Sequence, residues 1–532
     1  MTERRDDRLD HELAYEEAID FLKTLLAGPE CATKCGPIGY VASSVDIDNY
    51  KRLFTRDTVW MGLAALLSGD KELIEGFRSS LWVLANTQRE DGAIPSNVSP
   101  GGQISYGTLN PRIDATTLYI IGCVEYCRYC GDEKDIKSFY PSLEKAIKYL
   151  EDAWEDDNCG LLYIPRAGNW ADEYLQQGFV LYDEVLWHLA LKKFACILKI
   201  TGDKRASSYL EKAGKVKEII RNRFWIKNSH TKKDDVYLSM RGKIDLSRMG
   251  YLMHFFYVRD RSAGKCFTES HGIFDAFGNS LAMIEGVATT AQSEKILLFV
   301  DEISENRYPL IPAHYPFFEE KVFRSKKIYR YRFKEYIGHY HNGGLWSWYT
   351  GVYVAALVKM NEKERAHRFL DGILRANTDR KDGKSYYEFH TGEKSIAKMK
   401  VTHPDGLGLY FSEKLESFVD SQKPTVEVKH KKQMVCVDDH MDARNCLPER
   451  EHTLEMAAMG PDAGDVLSAI ADFKDKHGKR YFGDIEISSI ESMPDGTPYL
   501  GVSAAAYIIA YKALVEGNVL FYDPEQESKC NA

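Results

Sequence analysis

The chain has 532 residues, a net charge of −9 and a pI near 6.0, which argues against nucleic acid or an anionic membrane as partner, since both ask for a basic surface. Hydrophobic residues make up 44% and charged residues 28%, an ordinary balance that can bury a large core. The length exceeds a usual domain, so two domains or one large repetitive domain are expected.

The N-terminal stretch "MTERRDDRLDHELAYEE" has no apolar segment suited to a signal peptide, and no later run reaches the roughly 18–20 apolar residues of a spanning helix. The 11 cysteines follow no framework spacing, so a reducing, cytoplasmic location is expected. Cys123, Cys127 and Cys130 share one helix face, and with no further ligands in reach they read as structural.

In chain order, two kinds of helix alternate. Amphipathic segments with one charged face are "HELAYEEAIDFLKTLLAG", "KELIEGFRSSLWVLANTQ", "SLEKAIKYLEDAW", "RASSYLEKAGKVKEIIRNRF", "TAQSEKILLFV" and "EKERAHRFLDGILRAN". Between them run segments apolar on all sides: "TVWMGLAALL", "DATTLYIIGCVEY", "YDEVLWHLALKKFACIL", "FGNSLAMIEGVA", "GLWSWYTGVYVAALVKM" and "YLGVSAAAYIIAYKAL". The first three close on "LSGDKE", "YCGDEK" and "ITGDKR", with Gly placed where a helix end wants positive φ. Six buried helices alternating with six half-exposed ones predict an all-α (α/α)6 toroid, an inner ring wrapped by an outer ring.

Residues 395–494 interrupt the rhythm before the last inner helix. They read as an insertion of unknown fold, with β content near "YFGDIEISSIESM", inside a catalytic domain of residues 1–394 plus 495–532. Within the insertion, "DDHMD" (Asp438, Asp439, Asp442) matches a Mg²⁺-holding motif, but it lies in an apparent loop and reads as solvated surface. No metal and no cofactor are expected.

In a toroid the cavity lies where the inner helices begin, and unusual polar residues gather there. "FTRDTVW" supplies Arg56, Asp57 and Trp60; Asp114 heads the second inner helix; "GNWADEYLQQG" supplies Trp170, Asp172 and Glu173. Asp275 precedes the fourth, "YHNGGLW" brings His341, Asn342 and Trp346 before the fifth, and Glu388 lies in "SYYEFHTGE". Each acid could be a simple N-cap and each Trp could be core. Six clusters converging on one end instead describe a sugar site, where rings stack on a pyranose face and acids bind or cleave.

The order Arg-Asp, "IDATTLYI", "NWAD", "FDAFGNSLA", "YHNGGLWSW" and "YYEFHTGE" resembles the six-hairpin (α/α)6 glycosidases. The likeness is greatest to the amylo-α-1,6-glucosidase domain of glycogen-debranching enzymes and to the neutral/alkaline invertases. It spans residues 52–394 and resumes at 499. "HNGGLWSW" and "GVSAAAY" depart from both patterns, so the substrate is not carried over.

The resemblance implies Asp114 as general acid and Glu388 as general base of an inverting hydrolase acting on an α-glucosidic bond of a carbohydrate, of the debranching amylo-α-1,6-glucosidase type, with invertase-like sucrose hydrolysis as the alternative. It implies that Arg56, Asp57 and Asp172 hold sugar hydroxyls, and that His341, Trp60, Trp170 and Trp346 shape the subsite. Inversion asks for two carboxyls roughly 6.5–9.5 Å apart. A helix N-terminus favours the carboxylate form, so an acid role for Asp114 needs burial or a neighbouring carboxylate; otherwise Asp172 or Glu173 takes it. A sugar epimerase, relying on paired histidines such as His339 and His341, and a non-catalytic sugar binder are the rival classes. The oligomeric state is not legible.

Overall fold

The computed structural model describes residues 10–27, 39–46, 49–131, 133–172, 177–227, 246–258, 269–304, 309–316, 338–392, 394–403, 426–435, 449–459, 485–490, 492–518 and 520–521. Twelve α-helices stand among them. The inner ones are α2 (Thr55–Ser68), α4 (Ile113–Cys130), α6 (Leu181–Ile200), α8 (Ala276–Ile284), α10 (Ser347–Lys359) and α12 (Gly501–Glu516). The outer ones are α1 (His11–Thr24), α3 (Lys71–Asn86), α5 (Glu133–Ala153), α7 (Ala206–Ile219), α9 (Thr290–Ile303) and α11 (Lys363–Thr378).

Each inner helix packs on the next, and α12 packs back on α2, so the ring closes; α1 joins it against α12. This is the (α/α)6 toroid. Burial follows the sequence pattern: α10 and α12 bury nearly every residue of their first three turns, whereas α5 and α11 bury only one stripe. The Gly-Asp pairs work as two devices in sequence. Gly69 (φ 74°) ends α2 in the left-handed conformation, and the Asp70 carboxylate then accepts the Glu72 and Leu73 N–H groups at the start of α3.

Short strands form the rim where inner helices begin. One sheet joins β1 (Leu53–Phe54), β2 (Asn97–Val98) and β3 (Ile104–Ser105). A second runs in the order β4 (Gly178–Val180), β5 (Met253–Tyr257), β6 (Glu269–Asp275) and β7 (His314–Tyr315). β1, β4 and β6 lead straight into α2, α6 and α8, which sets where those helices start.

The described residues of the insertion form a four-stranded antiparallel sheet of β9 (Lys394–His403), β10 (Val426–Val435), β11 (Glu449–Met459) and β12 (Ile485–Ile490) in the order β10-β11-β9-β12. β9 and β10 run parallel with β11 between them, and β11 and β12 with β9 between them, the strand order of a doubled split βαβ unit. Its β content exceeds the expectation. Where the insertion leaves and returns, β8 (Phe389–His390) pairs with β13 (Pro494–Asp495), so both its ends lie beside Glu388. "DDHMD" lies outside the described residues.

Candidate active site

A cavity of about 650 Å³ opens at the end of the ring where the inner helices begin. Its wall includes Arg56 and Asp57 from the first turn of α2, Trp170 and Asp172 from the approach to α6, His341 and Trp346 from before α10, and Glu388. Seven of the expected residues therefore meet in one place.

Four others do not line it, the fully buried Asn342 among them. Asp114 has 0% exposure and lies behind Arg56, whose Nε donates to its Oδ2 at 2.7 Å. Trp60, one turn into α2, points into the barrel and packs on Phe277, Trp348 and Phe521. The expected subsite role of Trp60 is thus corrected to core, because a turn of helix carries it below the cavity. Asp275 caps α8, its Oδ1 accepting the Phe277 and Gly278 N–H groups. Glu173 lies outside the described residues.

Glu388 is held on both oxygens. Tyr50 Oη donates to Oε1 at 2.7 Å, and the Thr497 N–H donates to Oε2 at 3.1 Å. Gly496 (φ 75°) makes room: a Cβ there would stand 2.6 Å from Oε2. Burial, then the Glu388 charge, pushes the Tyr50 phenol well up, so Tyr50 stays a donor.

Asp57 is a wall carboxyl with shifted chemistry. Burial pushes it up to about 6, against the pull of Arg56 and its own backbone bond, with Glu388 and Asp114 adding to the rise. Asp172, 34% exposed, pairs instead with Arg112. Trp170 crosses Trp346 edge-on at 5.8 Å and His341 at 5.0 Å, giving an aromatic side to a polar pocket.

Sequence reasoning missed four residues. Tyr50, Arg52 and Arg112 line the cavity, and their signals lay in plain view in "DNYKRLFTRD" and "NPRID". Asp183, in the first turn of α6, is buried beside Asp114; burial and then the Asp114 charge raise its carboxyl well above the usual range, while Asn169 Nδ2 donates to it at 3.1 Å. No local signal separates it from an ordinary first-turn acid.

A model of the bacterial α-L-rhamnosidase six-hairpin glycosidase domain matches residues 44–241, and one of the alkaline and neutral invertases matches residues 270–400. The first holds Asp57, Asp114 and Asp172; the second holds His341 and Glu388. Over these two stretches the chain is similar to the six-hairpin (α/α)6 glycosidases. The chain shares its fold with a bacterial glucoamylase complexed with acarbose at 13% identity and TM-score 0.50, covering 95% of this chain and 56% of that one. It thus spans about half the glucoamylase's length. A wild-type glycosidase matches at 10% identity and TM-score 0.48, over 96% of this chain and 98% of that one. A GH78 rhamnosidase of Bacillus sp. GL1 matches at 15% identity and TM-score 0.44, over 70% and 30%. No curated protein sequence matches the chain.

Proposed function

We propose that this glycosidase hydrolyses an α-glucosidic bond of a small carbohydrate with inversion, with Glu388 as the base that activates water. The observation that carries the reading is the cavity wall itself: a carboxyl raised to about 6 and a second, doubly anchored carboxylate share one aromatic-sided pocket. Hydrolysis of a glycoside asks for such a protonated and ionised pair.

Asp114 is the proton donor that the family likeness implies. To reach a glycosidic oxygen it has to be released by Arg56, and a sugar hydroxyl competing for the guanidinium would do that. The wall favours a second assignment, Asp57, which already faces the cavity with its carboxyl raised. Activated substrates separate the two. A variant lacking the donor loses activity on ordinary glycosides but keeps it on a glucosyl fluoride, whose leaving group needs no proton. Asp57→Asn and Asp114→Asn assayed on both substrates identify the donor.

For the substrate, a 650 Å³ cavity falls within the range of about 300–1,000 Å³ typical of small-ligand sites, whereas a branched glucan asks for a long groove. This supports a short saccharide and weighs towards the sucrose-type alternative over debranching, in line with the invertase match around Glu388. Monosaccharide release from isomaltose, a branched limit dextrin and sucrose, with Glu388→Gln as control, decides it. No release from any of them by the wild type would sink the substrate class.

A further inference from the structure

A second constellation lies beneath the cavity and outside the hydrolytic reading. His254 on β5, Asp275 at the end of β6 and His314 on β7 come from three neighbouring strands, with Asp275 and His314 directly paired in register. All three are 0% exposed, and one ligand atom of each lies within 4.8 Å of the others. In the sequence, His339 and His341 stand as a close histidine pair. The folded chain instead brings His254 and His314, 60 positions apart, to a ring separation of 4.3 Å.

Each group is already turned for coordination. The His341 carbonyl oxygen can only accept, so at 2.7 Å it places the His314 proton on Nδ1 and leaves Nε2 a lone pair. The α8 cap occupies Asp275 Oδ1 and turns Oδ2 towards His254 Nδ1 at 3.4 Å. That distance is long for a hydrogen bond. It matches the edge of about 3.4 Å between two ligand atoms each about 2.1 Å from one tetrahedral ion.

We propose that His254, Asp275 and His314 bind one divalent transition-metal ion, zinc by the chemistry of two imidazoles and a carboxylate. The ion pins β5, β6 and β7 together under the aromatic side of the cavity, where Trp170 stacks on His314 with centroids 5.6 Å apart. With no exposed surface on any ligand residue, its part is structural.

The test is metal analysis of untagged full-length protein, stripped with chelator and reconstituted with Zn²⁺ or Co²⁺. About one equivalent of zinc per chain is expected, together with the visible absorption of tetrahedral Co²⁺. Both should fall to background in His314→Gln and in Asp275→Asn, the latter chosen because Asn keeps the cap acceptor. No zinc above background in the reconstituted wild type overturns the site, and that reading does not depend on whether the variants fold. Zinc retained undiminished in both variants places it elsewhere and overturns the site equally.

Discussion

Arg56 Nε donates to Asp114 Oδ2 across 2.7 Å, and the carboxylate it meets has no exposed surface. The guanidinium forms cavity wall on one side and closes over a buried acid on the other. Deleting one partner of a buried pair leaves the other uncompensated, which costs about 3–5 kcal/mol; Arg56 keeps some contact with solvent, so the lower end applies. Asp114→Ala is therefore expected to lose about 3 kcal/mol in urea unfolding. A loss well under 1 kcal/mol would mean that the pair is not maintained in solution.

The base depends on its anchors. Glu388→Gln is expected to lower the rate by about 10²–10⁴. Tyr50→Phe removes the hydroxyl that donates to Oε1 but leaves the carboxylate, and a hydrogen bond to a charged group is worth roughly 1.5 kcal/mol, or about tenfold. A fall in kcat with KM unchanged fits a positioning role for Tyr50; a rise in KM alone would make it a binding residue.

Asp57 predicts a pH signature. Its carboxyl is raised from 3.8 to about 6 in the folded chain. Between these values the native state holds a proton that the unfolded chain has released, so this group's contribution to stability falls as pH rises through the window. Asp57→Asn does not titrate there. It should gain on the wild type by about 2 kcal/mol between pH 4 and pH 7. Urea midpoints of both proteins at the two pH values measure it, and parallel behaviour would show an ordinary carboxyl.

The inner ring has a tight seam between α10 and α12. A Cβ on Gly351 would stand 2.3 Å from the Ala506 carbonyl oxygen, a backbone atom that cannot turn aside. Gly351→Ala is expected to cost about 1–3 kcal/mol through a shift of one helix against the other. A melting temperature equal to the wild type's would show that the seam has slack.

The alternation of apolar and amphipathic helices determined the toroid, since a helix apolar on every side has to sit inside and one with a wet face has to sit outside. Local chemistry also marked the end that carries the site, because Arg56, Asp57, Trp170, Asp172, His341 and Trp346 stand at or ahead of inner-helix starts, and Glu388 lies in the return after α11. What a local pattern cannot contain is which way a side chain turns once neighbours crowd it. Trp60 and Asp114 sit in the same kind of context as Asp57, yet one faces the barrel core and the other lies behind Arg56. The rim strands, two to seven residues long, are mostly too short to show an alternating pattern, and several pair with partners far away in the chain. The insertion's sheet order, the anchoring of Glu388 by Tyr50 and Thr497, and the meeting of His254 with His314 rest likewise on contacts between distant positions. Periodicity is a property of neighbours in sequence and could be read there; burial, pairing and charge coupling depend on neighbours in space, and only the folded chain decided them.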